Sequence, residues 1–172
     1  AGNLIAEDSP IGVMTRVAFE YGGTIDKFIG DAVMVVFGAP HTMEGPEQAR
    51  RAVACALAMQ DAMKKLSEEW SSRGLLDIKL RVGLHHGPAV VGNFGSDQRL
   101  EYTVIGHTVN LAARVEGACT PGEVFVTPVV VDYLPEDACE EQGEFHFKGV
   151  KHEVTLYRVL PEAAASLRDE AA

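Results

Sequence analysis

Between Gly45 and Gly74 the side chains Ala52, Ala56, Met59, Met63, Leu66 and Trp70 recur at steps of 4, 3, 4, 3 and 4 residues, which places all six on one face of a helix. A long helix with one apolar stripe must lay that stripe on a second layer, so the rest of the chain has to supply it. The flanking sequence supplies strands in pairs. Thr24 to Ile29 and Ala32 to Phe37 flank Gly30-Asp31, a two-residue connection of the kind that closes a tight hairpin. Ahead of it, Ile11 to Tyr21 carries apolar residues at 11, 14, 17 and 18 and stops at Gly22-Gly23, which reads as a helix. Ile78 to Gly83 and Ala89 to Gly92 read as strands, Tyr102 to Ile105 as another, and Thr108 to Glu116 as a helix after the break at Gly106. Val124 to Thr127 is a strand, Val129 to Tyr133 a short helix, and Gly143 to Phe147 with Thr155 to Val159 a late strand pair. Helices alternating with hairpins predict an α+β domain, a mainly antiparallel sheet covered by helices, over residues 11–160. The Ala/Glu-rich residues 161–172 read as a frayed, flexible tail.

Charge and cysteine content narrow the function. Among 172 residues, 25 acidic against 15 basic give a net charge of −10, and no Lys/Arg cluster exceeds two residues, so nucleic acid and anionic membranes are poor partners. The longest apolar run, Ala32 to Pro40, is too short to span a bilayer, and Ala1 to Pro10 shows no export signal. Cys55, Cys119 and Cys139 are odd in number and contain no CxxC, which argues against a disulfide framework and for a reducing, cytoplasmic setting. His85-His86 invites a metal reading, but neighbours on a strand face opposite ways and do not share one ion.

Two segments carry residues suited to chemistry. In YGGTIDKFIGDAVMVVFGAP, Asp31 sits at the hairpin tip, exposed and held by both strands, although a Gly-Asp pair is also ordinary turn chemistry. Asp26-Lys27 interrupts an apolar run, so one of the two must aim toward the buried side or a cleft; a buried lysine requires a partner. In NFGSDQRLEYTVIGHTVNLAARVE, Asn110 and Arg114 stand at i and i+4 on one helical face, and a neutral donor with a fixed cation near a helix N-terminus suits an anionic phosphorus centre.

Together these segments resemble the catalytic domain of class III nucleotidyl cyclases, and within it the bicarbonate-responsive adenylyl cyclases; the resemblance runs from about Met14 to Leu160. It implies a ferredoxin-like βαββαβ core with extensions, a head-to-tail homodimer with active sites shared between chains, and conversion of ATP to cyclic AMP and pyrophosphate with two Mg²⁺ ions, for which Mn²⁺ can substitute. Position by position, Asp31 matches a metal-binding aspartate, Lys27 the residue that hydrogen-bonds adenine, and Thr103 its specificity partner. Asn110 matches the residue that orients the ribose, Arg114 the one that stabilises the transferring phosphate, and Lys148 the one that contacts the terminal phosphates. Guanylyl cyclases carry Glu and Cys where Lys27 and Thr103 stand. Thr rather than Asp at 103 is the mark of the bicarbonate-responsive subclass and makes bicarbonate a possible effector.

Residue chemistry agrees with these roles. A lysine donates and never accepts, so Lys27 favours the N1 acceptor of adenine over the N1–H of guanine, while the Thr103 hydroxyl has both capacities. The guanidinium of Arg114 is planar, forked and permanently charged. The family's first metal aspartate, on a strand before the first helix, has no match: Glu7 and Asp8 in AEDSP stand in a different context, and the expectation is a further aspartate-bearing strand outside the printed residues. Two other readings are a cyclase-like partner that binds nucleotide without turnover, or a dimerisation and regulatory module. The set Lys27, Asp31, Thr103, Asn110, Arg114 and Lys148 exceeds what a bare interface requires.

Overall fold

The computed structural model describes residues 9–96 and 99–171. Helix α1 (Pro10–Glu20) leads to strands β1 (Thr24–Ile29) and β2 (Ala32–Val36), then to helix α2 (Gly45–Ser72) and strand β3 (Val82–Leu84). Strands β4 (Val90–Ser96) and β5 (Arg99–Ile105) precede helix α3 (His107–Ala118), strand β6 (Val124–Val126) and the short helix α4 (Pro128–Val131). Strands β7 (Cys139–Phe145) and β8 (Val154–Val159) are followed by a 3-10 turn (Pro161–Ala163) and helix α5 (Ala164–Ala171). The architecture is α+β, and the order α1-β1-β2-α2-β3 matches the last five elements of a βαββαβ core.

Strand pairing is antiparallel in β1–β2, β4–β5, β6–β8 and β7–β8, and parallel between β3 and β6. Parallel neighbours need a long crossover, and the connection through the β4–β5 hairpin and α3 provides it. The four-stranded sheet runs β3-β6-β8-β7. Its two faces follow the two-residue alternation of side chains: Val124 and Val126 of β6 pack toward α2, whereas Phe125 joins Leu111 and Val115 of α3.

Ser9 starts α1 by accepting a hydrogen bond from the Gly12 N–H at 3.1 Å, with Pro10 in the first turn. Helix α2 is enclosed more widely than its single stripe predicts. Val53 to Leu57 are all buried, because α1 and the β1–β2 hairpin pack on one side while the four-stranded sheet and α5 pack on the other. Ala52 and Trp70, at the margins of the predicted stripe, are half-buried.

Residues 161–171 correct the expectation of a frayed tail. They form the 3-10 turn and α5, and Leu167 is fully buried against the cluster of Val53, Leu57 and Val159. An Ala-rich composition is also good helix composition, and one well-placed leucine suffices to dock it. All three cysteines are free. Burial pushes the Cys55 thiol up to about 12 and that of Cys139 up to about 11, leaving neither a nucleophile near neutrality.

Gly83 on β3 sets the approach of α3. A Cβ there would lie 2.2 Å from the Glu116 N and 2.6 Å from its Cα, a collision with helix backbone that no side-chain rotation relieves. Gly83→Ala should therefore lower stability by about 1–3 kcal/mol, the range for overpacking, read as a reduced urea midpoint at unchanged m-value. An unchanged midpoint would mean that α3 recedes freely from β3.

Candidate active site

The hairpin places its acid as expected. Ile29 pairs with Ala32 across Gly30-Asp31, and Gly30 takes φ 61° at the first central position. Glycine there and a negative φ at Asp31 are the pattern of a type II′ turn, whose twist suits the two strands. The Asp31 side chain is exposed at the tip.

Nearer the base of the hairpin the strand is irregular. Ile25 pairs with Val35 and Lys27 with Met34, so two steps along β1 match one along β2 and Asp26 is the extra residue of a β-bulge. A bulge redirects a side chain, and Asp26 turns toward β5. Its Oδ1 accepts the Val104 N–H at 3.1 Å, and its Oδ2 accepts the Thr103 hydroxyl at 3.1 Å. Lys27 Nζ lies 3.3 Å from the same Oδ2. The carboxylate is almost fully enclosed, with 3% of its side chain exposed against 40% for Lys27. Of the charged doublet, the acid is the buried member, and its oxygens are met by two hydrogen bonds and one ion pair.

Lys27 and Thr103 are thus brought together by Asp26, which lies 77 positions from Thr103 in the chain and which sequence reasoning left without a role. The available signal was the charged doublet in an apolar run. Both Asp26 oxygens face groups of this chain, Oδ1 the Val104 N–H and Oδ2 the Thr103 hydroxyl and Lys27.

Asn110 and Arg114 are exposed on α3, beside the stripe of the buried Leu111 and Val115. Lys148 is exposed in the turn after β7, which closes with the Val150 N–H donating to the Phe147 carbonyl at 3.1 Å. Phe147 is buried in the cluster that holds Leu111 and Val115, so the Lys148 turn and α3 rest on one foundation. Among the described residues, no hydrogen bond or ion pair joins Asn110, Arg114 or Lys148 to Lys27, Thr103 or Asp31. Glu7 and Asp8 lie outside the described residues, as do Asp97 and Gln98 in the second segment.

His85 and His86 lie just past the end of β3 rather than on a strand, and they take different partners. His85 Nδ1 is 2.7 Å from Thr127 Oγ1 and His86 Nε2 is 3.1 Å from Gln48 Oε1. Burial, ahead of the neighbouring His86, holds His85 below the usual histidine range. No cluster of three or more His, Cys, Asp or Glu side chains placed to hold a metal occurs among the described residues, and none of their helices is long and apolar enough to cross a membrane. Asp31 is a hard, accessible oxygen donor, which suits Mg²⁺ as one of the few carboxylates that ion takes beside phosphate oxygens and water.

Comparison with known proteins bears on this arrangement. Residues 13–161 match the family model described as the adenylate and guanylate cyclase catalytic domain. The adenylate cyclase of Anabaena cylindrica is 38% identical over 159 residues, covering 85% of this chain and 30% of that protein. Adenylate cyclase 1 of Rhizobium meliloti is 37% identical over 105 residues, 61% of this chain and 16% of its own length. The chain therefore spans less than a third of either curated relative. Among solved structures, the adenylyl cyclase CyaB from P. aeruginosa superposes with a TM-score of 0.83 at 38% identity, covering 88% of this chain and 78% of that one. The guanylyl cyclase Cya2 superposes at 0.78 with 36% identity, covering 87% and 76%. With the bulged hairpin, the α3 pair and the Lys148 turn set in a fold shared at this level, the chain belongs to the adenylate and guanylate cyclase catalytic domain family.

Proposed function

We propose that this domain is an adenylate cyclase, closing ATP to 3′,5′-cyclic AMP with release of pyrophosphate at a site shared by two copies of the chain. The observation that carries the choice of ATP is the joining of Lys27 and Thr103 on Asp26, a compact donor and hydroxyl pair at one end of the hairpin. Lys27 donates to adenine N1 and Thr103 meets the 6-amino group.

In the reaction the ribose 3′-hydroxyl gives up its proton to water, its oxygen forms a bond to the α-phosphorus, the bond from that phosphorus to the bridging oxygen breaks, and the electron pair leaves with pyrophosphate. Divalent ions, Mg²⁺ or Mn²⁺, supply activation of the 3′-oxygen and neutralisation of the leaving group when bound. Asp31 is the residue of this chain that would hold them. Asn110 holds the ribose so that its 3′-oxygen faces phosphorus, a positioning effect that replaces a chance encounter. Arg114 donates to the α-phosphate oxygens as charge builds there, and Lys148 to the terminal phosphates.

A shared site is supported by exposure. Asn110, Arg114 and Lys148 face outward from one chain, and the charges of Arg114 and Lys148 act strongly only where a second surface excludes water. Phe28, Ile29, Val90, Val91 and Ile105 are exposed apolar residues on the hairpin and on β4 and β5, and a second copy would cover them. The remaining metal carboxylate is assigned to a strand beyond the described residues. Support for this comes from open edges: among the described residues β2 pairs only with β1, and β3 only with β6. Bicarbonate as an effector rests on Thr103 alone, and adding it at fixed pH tests it directly.

Turnover of ATP and GTP by the full-length protein, with Mg²⁺ and with Mn²⁺, decides the main assignment. Cyclic AMP should be the principal product. Cyclic GMP as the principal product would make the domain a guanylate cyclase, and nucleotide binding without either product would make it a reduced partner.

A further inference from the structure

We propose that Asp26 is a positioning residue that sets base specificity by fixing which way the Thr103 hydroxyl points. The inference rests on the adenylate reading above and extends it to a residue that touches no substrate. Its starting point is the shared oxygen: Asp26 Oδ2 receives the Thr103 hydroxyl at 3.1 Å and stands 3.3 Å from Lys27 Nζ, while Oδ1 is occupied by the Val104 N–H at 3.1 Å.

A hydroxyl has one proton and two lone pairs, so alone it is ambivalent toward a base edge. A carboxylate only accepts. Once the Thr103 proton is directed at Asp26, what Oγ1 can offer a base is a lone pair, and Thr103 becomes an acceptor. Lys27 is a donor in any orientation. Side by side they form a donor and an acceptor, the complement of adenine, whose N1 accepts and whose 6-amino group donates. Guanine is reversed at both positions, with a donating N1–H and an accepting O6. The bulge is what makes the arrangement possible, since it aims Asp26 at β5 while leaving the neighbouring Lys27 with 40% of its side chain exposed.

Asp26→Asn tests the polarity. The Val104 N–H requires the amide oxygen at the Oδ1 position, which puts the NH₂ group where Oδ2 stood. That group donates to Thr103, whose own proton then turns toward the base and suits guanine O6. The readout is the dissociation constant of 3′-deoxy-ATP against that of 3′-deoxy-GTP, neither of which has the hydroxyl needed for turnover, on the assembled full-length protein. The unmodified protein should prefer 3′-deoxy-ATP, and Asp26→Asn should reduce that preference at least about tenfold, the scale of an unmatched buried polar contact. In a Thr103→Val background, with no proton to steer, the same change should leave the ratio within about threefold. A guard against a misfolded variant uses the unmodified chain: the 6-methoxypurine riboside 5′-triphosphate keeps the N1 acceptor but offers oxygen at position 6, and should bind at least about tenfold more weakly than ATP.

Equal loss of both nucleotides in Asp26→Asn, or an unchanged ratio, would reduce Asp26 to a structural bridge and overturn the inference while leaving the adenylate assignment intact. Binding of the methoxy analogue as tight as ATP would do the same, because it would show a freely turning hydroxyl. A preference for 3′-deoxy-GTP in the unmodified protein would overturn the adenylate assignment itself and this inference with it.

Discussion

An Asp31→Ala chain and an Arg114→Ala chain, each nearly inactive alone, should regain cyclic AMP production when co-expressed. Each homodimer lacks the same element in both of its sites, and loss of one charge-stabilising group in such a site reduces turnover by about 10²–10³-fold. A heterodimer combines the two defects in one site and leaves the other site whole. Random pairing makes half of the dimers heterodimers, each with one intact site of two, so the mixture should reach about a quarter of normal activity. The expected rescue depends on Asp31 and Arg114 of one site belonging to different chains. They sit on separate elements of one chain, the tip of the β1–β2 hairpin and the outer face of α3. Heterodimers that form yet stay inactive would mean that each chain builds its own site.

The second large effect is a change of base. Lys27→Glu with Thr103→Cys replaces the donor by an acceptor and the hydroxyl by a weak donor, so both contacts to adenine are lost together. If each is worth roughly tenfold, the ATP:GTP ratio of kcat/KM should fall about a hundredfold. The structure adds a condition. A glutamate at 27 would stand beside the Asp26 carboxylate, now within 3.3 Å of Lys27 Nζ, and two like charges so close disfavour each other. The double variant should therefore lose ATP turnover more readily than it gains GTP turnover, and adding Asp26→Asn should raise the GTP rate further. An ATP:GTP ratio that the double substitution leaves unchanged would remove Lys27 and Thr103 from the base pocket.

Much of the site could be read from residue order because its parts are local. Gly30-Asp31 between two apolar runs announces its own turn, and the i, i+4 spacing of Asn110 and Arg114 announces a shared helical face. The bulge at Asp26 left no such trace, since one extra residue in a strand alters neither composition nor the general alternation of side chains; it is visible only in the pairing of Ile25 with Val35 and Lys27 with Met34. For the same reason the doublet could be recognised as half-buried without revealing that the acid was the buried half. Where the bulged side chain ends up is decided by a strand of another sheet, through Thr103, 77 positions beyond Asp26. Strands β4 and β5 extend beyond the short runs that alternation marked, because Asn93, Gly95 and Arg99 make poor strand signals and are recruited by pairing along the whole hairpin. In α5 a single leucine was too little periodicity to distinguish a docked helix from a loose end, and burial against α2 decided it.

The contact at Gly83 leaves no clearance between β3 and the backbone of α3, and a joint without clearance transmits displacement without slack. Strand β6, the helix bearing Asn110 and Arg114, and the Lys148 turn share one buried cluster, through Phe125, Leu111 with Val115, and Phe147. A displacement of the sheet edge at β3 would therefore carry α3, and with it Asn110 and Arg114, along with the sheet rather than being absorbed at the joint.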